Sequence, residues 1–219
     1  MARVVIFGAG DIARLAHRYF STDSPHEVVA FTADAAYVKE ERFQGLPLVP
    51  FTELAGRYPP GDFALFVALS YARMNRLRAE KFDAARALGY DLVSYVSSRC
   101  SYLTDAPVGK NCFILEDNTI QPFVTIGDDV TLWSGNHIGH DSTIGDHVFI
   151  SSHVVVSGHC RIEPYCFLGV NSTLRNGITV AAATLVGAGA AIMEDTTAEG
   201  VYLAARARLA SQKSGEIDL

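Results

Sequence analysis

The segment VTIGDDVTLWSGNHIGHDSTIGDHVFI, residues 124–150, repeats itself every six residues. Ile126, Leu132, Ile138, Ile144 and Ile150 mark the interval, and the register continues on both sides. Counting back reaches Ile120, Ile114 and Val108; counting forward reaches Val156, Ile162, Leu168, Leu174, Val180, Val186 and Ile192. All fifteen positions are Val, Ile or Leu, and at a background of about one residue in four chance does not produce such a run. The positions two before them are mostly small or β-branched. They include Cys112, Val124, Val130, Ser142, Val148, Val154, Cys160, Cys166, Ser172, Thr184 and Ala190, with Asn118, Asn136 and Ile178 least typical. A period of six is neither helical nor that of a long free strand. It fits short strands joined by turns, with one aliphatic and one small residue pointing inward per hexad. Three hexads close one triangular coil, and coils stack at strand spacing, about 4.8 Å. The fifteen hexads therefore predict a parallel β-helix of about five coils, roughly 24 Å long.

Before residue 98 the pattern changes. Val4-Val5-Ile6-Phe7 reads as a buried strand, followed by Gly8-Ala9-Gly10-Asp11-Ile12-Ala13 and a helix to about Phe20. Val28 to Phe31 is a second strand ending near Asp34, Phe63 to Leu69 another, Arg73 to Leu88 a helix, and Leu92 to Val96 a last strand. Strands alternating with helices predict a parallel sheet, here a Rossmann-like half-domain. The expected organisation is an α/β domain over 1–97, the β-helix over 98–195 and an extension over 196–219, polar and frayed at its end.

The chain has 219 residues, 49% of them hydrophobic, and a net charge of −6. That composition excludes intrinsic disorder, and the acidic balance argues against nucleic-acid binding. The four Cys show no CxxC; their hexad phase assigns them to packing, so neither a disulfide nor a nucleophile is expected. The start, MARVVIFG, does not read as a signal peptide, so a cytoplasmic protein is expected. Asn176 to Met193 is an uncharged stretch of eighteen residues, about the length of a membrane span. Its residues keep the hexad phase, however, which assigns it to the β-helix.

Two groups of residues carry chemistry. The Gly8-Ala9-Gly10-Asp11-Ile12-Ala13 run lets backbone approach a phosphate at a helix N-terminus, and Asp34 stands where a ribose hydroxyl is bound. A half-domain of this size suits a single nucleotide, such as the nucleoside diphosphate of an activated sugar; a tight turn that binds nothing is the plainer reading. Ser70, Tyr71 and Arg76 follow the Phe63–Leu69 strand and are candidates for the diphosphate. The second group is histidine: His137, His140, His147, His153 and His159, five of seven, none at an inward aliphatic position and so free to face solvent or a neighbouring subunit. No pair lies 36 residues apart, as ligands from separate coils of a zinc-binding β-helix would, so no metal is expected. General base catalysis fits better. Residues 18 apart stack, so His140 lies under Gly158, and Asp141 can orient its imidazole. A base with a backbone N–H one strand away is what aminolysis of a thioester needs.

The half-domain followed by hexapeptide coils resembles the PglD/NeuD family of sugar acetyltransferases over nearly the whole chain. The strongest likeness is Gly135-Asn136-His137-Ile138-Gly139-His140-Asp141-Ser142-Thr143-Ile144-Gly145-Asp146, where His140 and Asp141 match the family's base and its acidic partner. Cys166 to Ser172 and Val186 to Ala190 resemble the coils along which acetyl-CoA lies. The resemblance implies a left-handed β-helix, a homotrimer, acetyl-CoA as co-substrate between adjacent prisms, and an NDP-amino-sugar in the first domain. It assigns Gly169, Val170, Gly187, Ala188 and Gly189 to acetyl-CoA, with Arg208 a candidate for its phosphates, and Trp133, His137 and Phe149 to the acceptor pocket. There are departures. Ala204-Ala205-Arg206-Ala207-Arg208 replaces the usual Gly-x-Pro-Ala-Lys ending, Phe149 stands where a second His is usual, and Trp133 replaces a polar residue. The expected activity is N-acetylation of a nucleotide-linked amino sugar for surface glycans. The rivals are a sialic-acid-type O-acetyltransferase and a non-catalytic trimeric scaffold.

Overall fold

The computed structural model describes residues 1–209 and 211–216. The N-terminal part runs β1 (Arg3–Phe7), α1 (Asp11–Asp23), β2 (Glu27–Ala33), β3 (Arg42–Phe43), β4 (Leu46–Pro50), α2 (Leu54–Arg57), β5 (Ala64–Val67) and α3 (Arg76–Ala87). Its sheet has the order β3-β4-β2-β1-β5, parallel except for β3. The strands are apolar on both faces because both are covered. Val4, Ile6 and Phe66 pack on Ala13, Ala16 and Phe20 of α1, while Val5, Leu65 and Val67 pack with Phe82 and Ala85 of α3.

Helix α3 starts later than the sequence suggests. Arg73, Met74 and Asn75 all have positive φ, 53–64°, so the chain makes a left-handed turn before it can enter the helix. Asn75 is fully buried there and donates to the carbonyls of Tyr165 and Cys166 at 3.4 and 3.1 Å.

The rest is a three-faced left-handed β-helix, a triangular prism. The first face stacks Tyr95–Val96, Phe113–Ile114, Thr131–Leu132, Phe149–Ile150, Phe167–Leu168, Leu185–Val186 and Val201–Tyr202. The second stacks six strands from Ser101–Tyr102 to Ala191–Ile192, and the third four, from Thr125–Ile126 to Thr179–Val180. Pairing is in register with a shift of 18 residues, as His137 with Val155 illustrates. Fourteen of the fifteen aliphatic positions are buried to 5% exposure or less, and Val108 packs against them from the end. Each such side chain contributes about 1.5–3 kcal/mol by leaving water. The two atypical Asn are also buried and extend the ladder: Asn118 Oδ1 accepts from Asn136 N at 3.2 Å, and Asn136 Oδ1 from Val154 N at 2.7 Å.

Each corner turns through a left-handed residue three after the aliphatic one, among them Asp117, Asp129, Asp141, His147, His153, His159 and Asn171. Asn, Asp and His tolerate that conformation better than other residues with a side chain. The spacing of His147, His153 and His159 is therefore a turn requirement. The uncharged stretch Asn176–Met193 supplies three strands, and no helix among the described residues is long and apolar enough to cross a membrane. The tail, read from sequence as separate beyond Ala198, contributes one more rung: Val201–Tyr202 pairs with Leu185–Val186.

The first face and its corner with the third dock on the N-terminal domain. Tyr95, Phe113 and Leu115 join the core under β1 and β5. Beside them, Arg78 of α3, 1% exposed, places Nε 3.0 Å from Asp129 Oδ2 and donates through Nη2 to the Asp129 carbonyl at 2.8 Å. Asn111 Nδ2 donates to Asp129 Oδ1 at 2.7 Å, and His147 Nδ1 lies 2.9 Å from Oδ2. His147 thus does not face solvent. Its ring stacks on Tyr165 and meets Phe82 edge-on.

Candidate active site

His140 follows the second-face strand His137–Ile138, at the corner leading to the third face. Its backbone is held by the coil below: His140 N donates to Gln121 Oε1 at 2.9 Å, and Asp141 N to the Pro122 carbonyl at 3.2 Å. Its Nδ1 lies 2.8 Å from Asp141 Oδ2. A carboxylate accepts, so in the neutral ring Nδ1 carries the proton and Nε2 presents a lone pair. That nitrogen lies under Gly158, one coil on, where a Cβ would come within 2.8 Å of it. Gly158 is buried, and its N–H has no protein acceptor among the described residues. An imidazole lone pair and a free amide donor thus stand side by side on adjacent coils. His159, stacked directly over Asp141, presents its ring edge-on to His140 with centroids 4.9 Å apart.

The Gly-rich loop lines a cavity of about 380 Å³ at the carboxyl ends of β1 and β2, the place where open α/β sheets bind ligands. Gly8 is obligatory there: at φ 133° an added Cβ would lie 2.8 Å from the Ala68 carbonyl oxygen. Gly8, Ala9, Gly10 and Asp34 line this cavity together with Tyr37, Lys39, Leu77 and Lys81. Asp34 pairs with Lys81 at 2.5 Å. Sequence reasoning missed both lysines. Lys39 lies just past β2, but the place of Lys81 depends on how α3 packs, which no local pattern encodes.

Four other residues assigned to the nucleotide do not line this cavity. Asp11 is exposed and pairs with Arg14. Ser70 lies past β5, outside the lining. Arg76 lies over the Tyr165 ring, 5.1 Å from its centroid. Tyr71 packs against Phe149 and Phe167 at 5.1 and 4.8 Å. This last contact puts Tyr71 in a second cavity of about 200 Å³, with Ile12, Trp133, Phe149, Ser152 and Val170. Trp133 and Phe149 are thus brought together, with ring centroids 6.4 Å apart. His137 is not: it sits mid-face between Thr119 and Val155.

Trp133, Ser152, Val170 and Gly187-Ala188-Gly189 form one column along the corner between first and second faces. Gly169 begins this corner in its coil, where a Cβ would meet the Ala188 N at 2.6 Å. Arg208 is exposed beyond the last strand. His140 and Gly158 belong to the next corner, across the second face. The thiols are no part of the site. Burial pushes Cys112 up to about 12 and Cys100 and Cys166 to about 11, and all four cysteines are free.

Residues 125–158 match the bacterial transferase hexapeptide (six repeats) family. No curated protein matches the sequence. Three solved structures share the fold over nearly their whole length. The acetyltransferase domain of PglB from Neisseria gonorrhoeae FA1090 is 22% identical, with a TM-score of 0.81 over 93% of this chain and 97% of that one. PerB from Caulobacter crescentus, in complex with CoA and GDP-perosamine, is 22% identical, with a TM-score of 0.80 over 93% and 95%. WeeI from Acinetobacter baumannii AYE is 17% identical, with a TM-score of 0.77 over 92% and 96%.

Proposed function

We propose, from the hexapeptide-transferase repeat and the fold shared with the acetyltransferase domain of PglB and with PerB, whose structure holds CoA and GDP-perosamine, that the chain transfers an acetyl group from acetyl-CoA to the amine of a nucleotide-linked amino sugar. The observation that carries this reading is the His140–Asp141 pair with its free Nε2 beside the unpaired Gly158 N–H. The sugar amine attacks the thioester carbonyl while Nε2 accepts the amine proton. The Gly158 N–H donates to the oxyanion, and Asp141 stabilises the imidazolium. Collapse of the tetrahedral adduct expels the CoA thiolate, which takes the proton back from His140. No covalent enzyme intermediate forms.

In this reading the cavity of about 380 Å³ holds the nucleoside diphosphate, with its phosphates at the start of α1. Helix α1 has no side-chain cap at Gly10, so its first N–H groups are available to an anion. Lys39 and Lys81 add positive charge. The neighbouring aromatic cavity takes the sugar. Acetyl-CoA runs up the Trp133–Val170–Gly189 column. Because that column and His140 occupy different corners, the site is completed by a second copy, which supports a homotrimer. The protein then acts in the cytoplasm on surface-glycan precursors.

The test is acetyl-CoA consumption with UDP-, TDP- and GDP-linked amino sugars, against the same sugars bearing a hydroxyl. Turnover with one amino sugar supports the reading. Turnover only with a hydroxyl acceptor points to O-acetylation, and absence of CoA binding points to a scaffold.

A further inference from the structure

His140, Asp141 and His159 bring two imidazoles and a carboxylate together, with one ligand atom from each inside 4.8 Å. The rows of the prism create this trio: Asp141 follows His140, and His159 lies one coil above Asp141. Asp141 Oδ2 is 2.8 Å from His140 Nδ1 and 4.0 Å from His159 Nε2. In a tetrahedral zinc site with Zn–N bonds of about 2.0–2.1 Å, ligand atoms stand about 3.3 Å apart. The two separations straddle that value. All three side chains are about half exposed, 43–57%, so small χ rotations adjust them without disturbing the core. The left-handed turn accounts for the backbone of His159 but not for its ring, which meets the His140 ring, stands 4.0 Å from Asp141 and makes no hydrogen bond among the described residues.

We infer that this trio is a binding site for divalent ions of the zinc class, and that an ion there blocks the base. Two imidazoles with one carboxylate favour Zn²⁺, Co²⁺ or Cu²⁺ over Mg²⁺ or Ca²⁺. The fourth position opens to solvent. Metal on His140 Nδ1 takes the lone pair of that nitrogen, so the neutral ring carries its proton on Nε2 and cannot accept one from an amine. Metal on Nε2 occupies the catalytic lone pair itself. Either mode stops proton abstraction. The blocking, though not the site, rests on His140 being the base of the proposed reaction.

The test uses Zn²⁺ alone, titrated calorimetrically into the full chain and into His159→Ala, with Co²⁺ absorption reporting coordination. One ion per chain is expected for the unmodified protein. His159→Ala should weaken it by at least the ~10–100-fold that loss of an outer-shell partner costs. With acetyl-CoA and acceptor present, Zn²⁺ should inhibit over the same concentrations that fill the site, and inhibition of His159→Ala should need correspondingly more. No saturable binding, or binding indifferent to His159→Ala, overturns the site. Binding that depends on His159 but leaves turnover intact overturns the blocking, and with it His140 as the base.

Discussion

Gly158→Ala separates the chemistry of the site from the stability of the fold. Gly158 does not have positive φ, so alanine suits its backbone. The added Cβ would stand 2.8 Å from His140 Nε2 and 2.9 Å from Cε1. Ordinary contact begins near 3.4 Å, so the imidazole tip must retreat by 0.6 Å, the difference of the two. The tip, and Asn176 Oδ1 at 3.1 Å from the added Cβ, are movable ends of exposed or half-exposed side chains, so the stability cost should stay within about 0.5 kcal/mol, the usual range where neither backbone nor apolar core is disturbed. Turnover is another matter. A misplacement approaching 1 Å costs about 10²-fold, and losing the base outright about 10²–10⁴-fold. The expected result is a fall in kcat of about 10²-fold with an unchanged melting curve and CoA binding. Gly139→Ala is the contrast, since its Cβ would lie 2.5 Å from the backbone of Ser157 and Gly158. That collision cannot be relieved by a side chain, and the variant should lose stability. The assays are thiol release from acetyl-CoA and thermal unfolding. A Gly158→Ala enzyme with wild-type kcat would refute the placement of Nε2 under Gly158.

Three further outcomes follow from the packing. Arg78→Met leaves Asp129 buried without its guanidinium partner and should cost about 3–5 kcal/mol in denaturant unfolding; a change under about 1 kcal/mol contradicts the weight given to this ion pair. Hydrogen bonds from Ser98, Tyr95 and Ser97 hold Asp23 at about 2, so its contribution is present above the unfolded carboxylate value and lost as pH falls through about 2. Asp23→Asn should therefore lower the melting temperature at neutral pH and narrow the gap to wild type in strong acid; a constant gap contradicts this. Finally, His140→Ala and Val170→Arg, each inactive alone, should regain activity when mixed as subunits. In the proposed trimer each site takes its His140 corner from one copy and its Val170 corner from another, so random mixing should give about one quarter of full activity. No recovery means that both corners serve one chain.

The prism was legible because its signal is strictly local: one aliphatic per hexad fixes both the inward face and the stacking. The same arithmetic of 18 puts His140 under Gly158, and applied to Asp141 and Asp129 it reaches His159 and His147, two residues expected only to be free to face solvent or a neighbouring subunit. Positions set by docking between domains were not legible. Lys81 enters the cavity at the Gly-rich loop, Tyr71 joins Trp133 and Phe149, and Arg78 meets Asp129 only because α3 and the turn before it settle on the first face. Nothing in the spacing of those residues encodes the angle of that contact. The helix start failed for a related reason: the left-handed Arg73–Asn75 turn is stabilised by Asn75 reaching carbonyls some ninety residues away.

The most direct measurement is thiol release from acetyl-CoA by the unmodified chain and by His140→Ala, each with the nucleotide-linked amino sugar that the substrate screen selects. The expected result is a loss of about 10²–10⁴-fold in kcat, with acetyl-CoA binding and the unfolding curve unchanged. Near-wild-type turnover in His140→Ala would contradict the role given to this histidine and the mechanism built on it.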